Sequence, residues 1–431
     1  MYLLYSVLLA VALVCATPYW LYEMFRHGKY RRGLSERLGF LPRRIPPSTQ
    51  PSIWVHAVSV GEVLALSEII RQLRADSPKH RIVISTTTDA GQNLARDRFS
   101  AENVFYFPFD FKICVTPYLR ALRPELVIIA ETEFWPNFVR TAKQCGAHIA
   151  TVNARISDRS LPGYRRWRTL LAHVLRNVDL FLTQTPEDAR RLKQIGAPEG
   201  RVFVAGNLKF DVPAPAASPI LSQLRSSFRY SSAGPVVVCG STVTGEEPVL
   251  LNAFKAVLAQ YRSAVMLLAP RHPERFDEVE KLLQQSNLPF RKRSTWNGEP
   301  LSGSVLLIDS IGELASLYAL ADITFVGGSL VPRGGHSILE PAQHGVAILV
   351  GPHTENFRDI VELFRQNGAV KIATADDLSR TFLELLANED ERRRLGEHAF
   401  ETLQSQRGAT KLTLDKLRAL LQRNTREAYT A

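Results

Sequence analysis

Two glutamates and a lysine stand where short apolar runs stop. In Ile53–Glu62, IWVHAVSVGE, the run ends near Ala57, a turn passes through Ser59 and Gly61, and a helix begins near Glu62. Gly61 lets the backbone approach a ligand closely. Glu62 falls at a helix N-terminus, where the positive end of the dipole favours the carboxylate form. With a reference pKa of about 4.3 it is ionised at neutral pH and can take a proton from an attacking hydroxyl. A first-turn acid that only stabilises its own helix has the same local sequence. Leu126–Asn137, LVIIAETEFWPN, leads from buried residues straight into Glu131 and Glu133. Burying unpaired carboxylates is costly, so one acid is expected to face a ligand and the other a structural partner. The plainer reading is a helix start with Pro136 in its first turn. In Gly206–Asp211, GNLKFD, Lys209 suits negative charge on a departing phosphate, or is a solvated linker residue.

The second half of the chain repeats the pattern without acids at every strand end. Val238–Glu247, VCGSTVTGEE, places a Gly-Ser-Thr turn before a helix, a suitable seat for phosphate or carboxylate but not a Walker A motif, since GK[ST] is missing. Leu267–Arg275, LLAPRHPER, puts Pro270, Arg271 and His272 directly after an apolar run, and the planar guanidinium of Arg271 suits a phosphate. His272 reads as a loop cap. Asp309–Leu314, DSIGEL, carries Ile311, Gly312 and Glu313 through another glycine turn. Phe325–Pro341, FVGGSLVPRGGHSILEP, ends in Ser337, Ile338, Leu339 and Glu340, with the glutamate expected one turn into a helix, where it could hold both hydroxyls of a ribose. Each glycine pair alone is only tight-turn geometry. Four such strand ends in one domain, the last closed by a glutamate, point to a nucleotide-sugar site.

Positioning these residues requires parallel strands. Ile53–Ala57, Arg81–Thr86, Leu126–Ala130, His148–Val152, Leu180–Thr183 and Val202–Ala205 read as buried strands, separated by helical stretches such as Glu62–Ala75 and Gly91–Phe99. A second series follows: Val236–Cys239, Val265–Ala269, Val305–Ile308, Ile323–Val326 and Ile348–Val350, before a charged helical stretch from Asp376 to Leu421. The fold class is therefore α/β, with two doubly wound Rossmann-like domains expected at 35–210 and 235–421. The linker is expected at 211–234, opening with DVPAPAASP. Ligands are expected beyond the carboxyl ends of the strands, in a cleft between the domains.

Residues 1–25 read as a membrane anchor. Met1 to Tyr22 carries no charged side chain, and Arg26, Lys29, Arg31, Arg32 and Arg37 follow at once. As a helix the apolar segment spans roughly 33 Å, and the positive-inside rule keeps the rest of the chain cytoplasmic. A cleaved leader would carry its basic residues ahead of the apolar run instead. Pro18 is expected to interrupt the helix, leaving a spanning and a surface-lying anchor both open. The net charge of +11 favours anionic partners, and with an anchor present a membrane surface or a phosphorylated substrate is preferred to nucleic acid. The four cysteines are scattered and suggest neither disulfides nor a metal site.

Taken together, VHAVSVGE, ETEFWPN, GNLKFD, GSTVTGEE, APRHPER and GGSLVPRGGHSILEPA resemble the Kdo transferases, which add 3-deoxy-D-manno-octulosonic acid in lipopolysaccharide core synthesis. The resemblance runs from the anchor to about Gly368. It implies a GT-B fold and an inverting, metal-independent transfer from CMP-Kdo to lipid IVA, with no cofactor beyond the donor and no indicated protein partner. It implies Glu62 as general base, with Glu131 and Lys209 supporting the transition state. It further implies Pro270, Arg271, Ile311, Gly312, Glu313, Ser337, Ile338, Leu339 and Glu340 as the CMP-binding segments. Two positions depart from the family pattern: Ser337 stands where Asn is common, and Val243 where His is. A serine loses the amide's two-sided bonding and a valine makes no polar contact. Two other functions fit the same chain: a membrane GT-B enzyme using a UDP-sugar, and a non-catalytic scaffold that binds lipid or nucleotide.

Overall fold

The apolar runs become parallel strands covered on both faces. A computed structural model describes residues 1–27, 32–211 and 218–430 of the chain. The first sheet contains β1 (Ser52–His56), β2 (Arg81–Thr86), β3 (Val104–Tyr106), β4 (Pro124–Ala130), β5 (His148–Ala154), β6 (Leu180–Thr183) and β7 (Val202–Val204), in the order β3-β2-β1-β4-β5-β6-β7. Alternate side chains leave a strand on opposite faces. Ile53 and Val55 accordingly join one apolar cluster, and Trp54 joins the other. Both faces are dry, which is why these strands read as continuous apolar runs rather than alternating ones.

The second sheet contains β8 (Val236–Thr242), β9 (Val265–Pro270), β10 (Phe290–Lys292), β11 (Ser304–Leu307), β12 (Ile323–Val326), β13 (Ala347–Val350) and β14 (Lys371–Ile372). Its order is β10-β11-β9-β8-β12-β13-β14. The expected α/β class with two doubly wound sheets holds. β3, β10 and β14 were not expected. All three are edge strands of two or three residues, paired on one side only, so they need no long apolar run.

The domain boundaries differ from those expected. One compact unit is Met1–Asp211 with Arg407–Ala431, and the other is Val212–Gln406. The helix Ala409–Thr430 thus leaves the expected 235–421 domain and joins the first unit. Its Leu414 and Leu417 are buried beside Leu66 and Ile69 of the helix Val60–Asp76, each burial stabilising by about 1.5–3 kcal/mol. Its start is fixed by Asp211, whose carboxylate accepts the N–H of Gly408 at 2.7 Å and that of Thr410. The expected linker 211–234 is also shorter. Pro219–Ser231 is a helix whose Ile220, Leu224 and Phe228 pack into the second unit's core. Residues 212–217 lie outside the described residues.

At the other end, Tyr2–His27 is one helix, and Pro18 does not break it. A proline removes a single N–H from the ladder, and the turns on either side hold. By length and composition Tyr2–Arg26 is long and apolar enough to cross a membrane. Lys29 and Arg31 of the basic run lie outside the described residues. Arg37 is not a free cation of that run. It donates to the Thr87 carbonyl at 2.5 Å and lies 4.7 Å from the Tyr106 ring centroid.

Candidate active site

In a doubly wound sheet the strand order reverses at one point, and the loops that diverge there leave a crevice at the carboxyl ends. In the first sheet the reversal lies between β1 and β4. The helix after β1 carries Glu62 in its first turn, and the residue after β4 is Glu131. The two acids singled out from the sequence thus flank the switch point of one sheet.

The β1 loop is firmly held. The Val58 carbonyl accepts from the N–H groups of Thr87 and Thr88, each at 3.2 Å, and from the Thr88 hydroxyl at 3.2 Å. Gly91 is required beneath it, because a Cβ there would lie 3.3 Å from the Val58 oxygen and 2.9 Å from Thr88 Oγ1. Gly61 differs: it is exposed, and a Cβ there would meet only Ser59 Oγ, at 3.9 Å. No packing inside the unit demands a glycine at 61, and the space beside it is open to a ligand.

Glu62 sits in the first turn of Val60–Asp76 and folds back over it. Oε2 accepts the Val58 N–H at 2.8 Å, and Oε1 accepts the Ser59 hydroxyl at 2.9 Å. Burial pushes its carboxyl up to about 7 against the pull of those two bonds, and the charges of Glu131 and Glu133 add to the rise. The expected direction, a carboxylate kept acidic by the helix dipole, is therefore reversed. Desolvation and two like charges outweigh the dipole. The chemical consequence is favourable, because a base titrating near the working pH is both available and strong enough to accept a proton.

Glu131 has a left-handed backbone, φ +53°, pinned by its N–H to the Val152 carbonyl at 2.9 Å. Such a conformation is strained for a non-glycine residue and is kept where surrounding structure enforces it. Glu133, half-buried two residues on, is pushed up by burial first and then by Glu131. Lys209 lies in the turn Leu208–Phe210, which packs against the Glu62 helix. Asn153, at the end of β5, takes the Leu208 N–H at 3.1 Å, and Asn207 takes that of Lys209 at 3.0 Å. Among the described residues, none pairs with the ammonium of Lys209 or the carboxylate of Glu131. The first unit thus gathers Glu62, Glu131 and Lys209 at the carboxyl end of its sheet.

In the second sheet the order reverses between β8 and β12. The loops there begin at Val243, after β8, and at Gly327, after β12, and one residue joins them. Glu246 is fully buried and accepts four backbone N–H groups: Val243 at 3.0 Å, Gly328 at 2.8 Å, Ser329 at 2.9 Å and Leu330 at 2.9 Å. Gly327 has no room for a side chain, since a Cβ would lie 2.5 Å from the Ser241 carbonyl oxygen. Glu246 lies within VCGSTVTGEE, where nothing local marks it apart from Glu247.

Arg271 and Arg275 have different roles. Arg275 closes on the buried Glu247 through two bonds of 2.6 and 3.1 Å. Arg271 is exposed at the end of β9, with its N–H on the Thr242 carbonyl at 2.9 Å, and among the described residues none pairs with its guanidinium. Around it stand His336 and Glu340. His336 is pushed down to about 4 by burial and by Arg271 and His272. Glu340 is raised by burial and drawn back by Arg271. A neutral histidine, a half-buried acid and an unpaired guanidinium therefore share one neighbourhood, with Pro270 buried at the strand end behind them.

The remaining candidates divide. Glu340 is the second residue of the short helix Leu339–Ala342, nearer its start than expected. Ser337 Oγ is 3.4 Å from the Leu339 N–H it accepts. Ile338 and Leu339 are buried, so only their backbone can meet a ligand. Ile311 is exposed, Gly312 has φ +88°, and Glu313 is occupied by Arg293 at 3.0 and 3.1 Å and by the Ser310 hydroxyl. Among the described residues no group of three or more His, Cys, Asp or Glu is placed to hold a metal ion.

Solved structures share this architecture. A glycosyltransferase from Rickettsia africae matches with a TM-score of 0.51 and 13% identity, over 87% of this chain and 99% of that one. The UDP-GlcNAc 2-epimerase of Neisseria meningitidis matches with a TM-score of 0.52 and 14% identity, over 85% and 100%. These likenesses define the class by fold: a GT-B-type protein of two doubly wound sheets. The sequence comparisons narrow it. The family model for 3-deoxy-D-manno-octulosonic-acid transferase (kdotransferase) matches residues 32–212. The 3-deoxy-D-manno-octulosonic acid transferase of Haemophilus influenzae is 35% identical over 401 residues, 92% of this chain and 93% of its own. That of Bordetella pertussis is 33% identical over 414 residues, 92% and 94%. The chain belongs to the Kdo transferase family, and is a glycosyltransferase.

Proposed function

We propose that this chain transfers Kdo from CMP-Kdo to lipid IVA, with inversion, at the cytoplasmic face of the inner membrane. The observation that carries the reading is Glu62, a carboxyl with a proton affinity near neutrality, at the switch point of the first sheet in a member of this family. Glu62 takes the proton from an acceptor hydroxyl. The freed oxygen bonds to the anomeric carbon of Kdo, and the bond from that carbon to the CMP phosphate oxygen breaks. The electron pair leaves with CMP. Lys209 and Arg271 offset the negative charge of phosphate and sugar carboxylate, and Glu131 helps hold the reacting groups.

On this reading the second unit holds CMP. Pro270 and Arg271 meet the phosphate side, and Ile311–Glu313 frame the nucleotide. Glu340 and the backbone of Ser337–Leu339 hold the ribose. Val243 and Ser337 leave fewer polar groups for the donor than the usual His and Asn. The N-terminal helix keeps the enzyme beside an acceptor that does not leave its membrane.

The test is mass spectrometry of lipid recovered after purified enzyme meets CMP-Kdo and lipid IVA. Lipid heavier by one or more Kdo units, formed only with both substrates, supports the reading. Donor that never reaches lipid, with a known Kdo transferase active alongside, would refute it.

A further inference from the structure

The N-terminal helix Tyr2–His27 does not stand away from the first unit. At its beginning the Arg140 guanidinium lies 4.3 Å from the Tyr2 ring centroid, and Asn177 Nδ2 donates to Tyr2 Oη at 3.4 Å. One turn on, Asn137 Nδ2 donates to Ser6 Oγ at 3.0 Å. Tyr5 hydrogen-bonds the Asp110 carboxyl, which also accepts the N–H groups of Asn137 and Phe138 at 3.0 and 2.7 Å. Nearer its end, Trp20 stacks on Phe109 with centroids 6.3 Å apart and planes 6° from parallel. Between Tyr2 and Trp20 a helix rises about 27 Å. The folded unit therefore runs beside the helix for nearly the ~30 Å depth of a hydrocarbon core.

The other face of the helix is bare. Leu3, Leu4, Val7, Leu8, Val11 and Val14 are each more than half exposed and share one helical stripe. Apolar exposure continues on the unit itself, at Phe40 and Ile113, with Lys112 exposed beside the latter. Phe40 and Ile113 adjoin one another. A Cβ on Gly39 would lie 2.7 Å from Cys114 Cα, and the Phe109 N–H donates to the Arg37 carbonyl at 2.7 Å.

We infer that this helix does not cross the bilayer but lies in the plane of one leaflet, with its Leu3–Val14 stripe in lipid and Phe40 and Ile113 seated beside it. A crossing helix would draw Asp110, Asn137 and Arg140 into hydrocarbon, where polar groups lose water and a guanidinium is expensive to bury. A helix lying in the interface keeps those side chains on the wet side, with its apolar stripe in the acyl boundary and Lys112 near anionic headgroups. The inference rests on the reading of the chain as a membrane enzyme, and not on which sugar it transfers.

The test uses the full chain with Cys15 and Cys145 replaced by serine and a hydrophilic, cysteine-bearing tag fused ahead of Met1. A membrane-impermeant maleimide is expected to label the tag in inverted inner-membrane vesicles and not in intact spheroplasts. Labelling in spheroplasts would place the N-terminus across the membrane and overturn the inference. The double variant Leu4→Glu, Leu8→Glu is expected to stop floating with protein-free vesicles of phosphatidylethanolamine and phosphatidylglycerol, while its thermal unfolding midpoint stays unchanged. Undiminished flotation would remove lipid as the occupant of the stripe. Neither readout involves transfer, so failure here leaves the assay with CMP-Kdo and lipid IVA to be judged separately.

Discussion

The Ser59 hydroxyl donates to Glu62 Oε1 at 2.9 Å instead of accepting from its own helix, although Ser59 is the N-cap of that helix. A capping side chain has been turned toward the carboxylate. That bond favours the ionised acid and works against burial. Ser59→Ala is therefore expected to raise the Glu62 pKa further, by roughly half a unit to one unit. The rising limb of the transfer rate against pH, centred near 7 in the parent, should move to higher pH while the plateau is largely kept. An unmoved limb would detach Ser59 from the proton transfer.

Glu62→Gln removes the base and keeps its shape. A loss of about 10²–10⁴-fold in kcat is expected, with CMP affinity unchanged by calorimetry. The same variant should be more stable than its parent once the pH exceeds the unfolded value, by a margin that grows up to about pH 7 and is level above it. Unfolded, Glu62 titrates near 4.3; folded, near 7. The folded state holds the proton more tightly, so the carboxyl favours folding most below the unfolded value, and that contribution is lost as pH rises through 7. Denaturant titration at pH 8 should show a gain of up to ~3 kcal/mol for the variant, and at pH 4 no gain. Asp110, which burial also pushes up to about 7, is present in both proteins and cancels.

The two arginines after β9 should separate binding from folding. Arg271→Ala is expected to weaken CMP about 10-fold or more, in line with the loss of one charged hydrogen-bonding group, and to leave the unfolding midpoint unchanged. Arg275→Ala strands the buried Glu247 carboxylate and should cost about 3–5 kcal/mol of stability. Calorimetry with CMP and thermal unfolding on both variants distinguish the two roles. The reverse pattern would exchange them.

Glu246 offers a different kind of test. Its four N–H donors need an acceptor with two anionic oxygens, and Gln supplies one oxygen and one competing donor. Glu246→Gln is expected to destabilise the second unit by about 2–4 kcal/mol and to loosen the Gly327–Ser329 loop, seen as faster amide hydrogen exchange at Gly328 and Leu330. Unchanged exchange there would show that the loop holds its shape without the carboxylate.

Much of this could be read from the chain alone, for identifiable reasons. Central strands are covered on both faces, so Leu126–Ala130 announces itself by unbroken apolarity and Ile53–Ala57 by four apolar residues around one histidine, and the residues that follow them fall at the site. β10, by contrast, is Phe-Arg-Lys on an edge, and a single apolar residue does not mark a strand. The position of Glu62 was legible, but its proton affinity was not, because the burial and the Glu131 and Glu133 charges come from distant parts of the chain. Glu246 was hidden for a related reason: three of its four partners lie 82 to 84 residues further along. The helix Ala409–Thr430 was recognisable as a helix, but an amphipathic pattern does not say which sheet it will cover.

That last helix also sets an order of events during synthesis. The segment Val212–Gln406 is continuous and can complete its fold as soon as it leaves the ribosome, whereas the Met1–Asp211 portion waits for a helix made after that segment. The half translated first is thus the half finished last. Until Leu414 and Leu417 arrive, its sheet carries an uncovered apolar face, beside a hydrophobic N-terminal helix that was made before either sheet. A chain stalled before position 409 would carry a well-formed second unit joined to an incomplete first one.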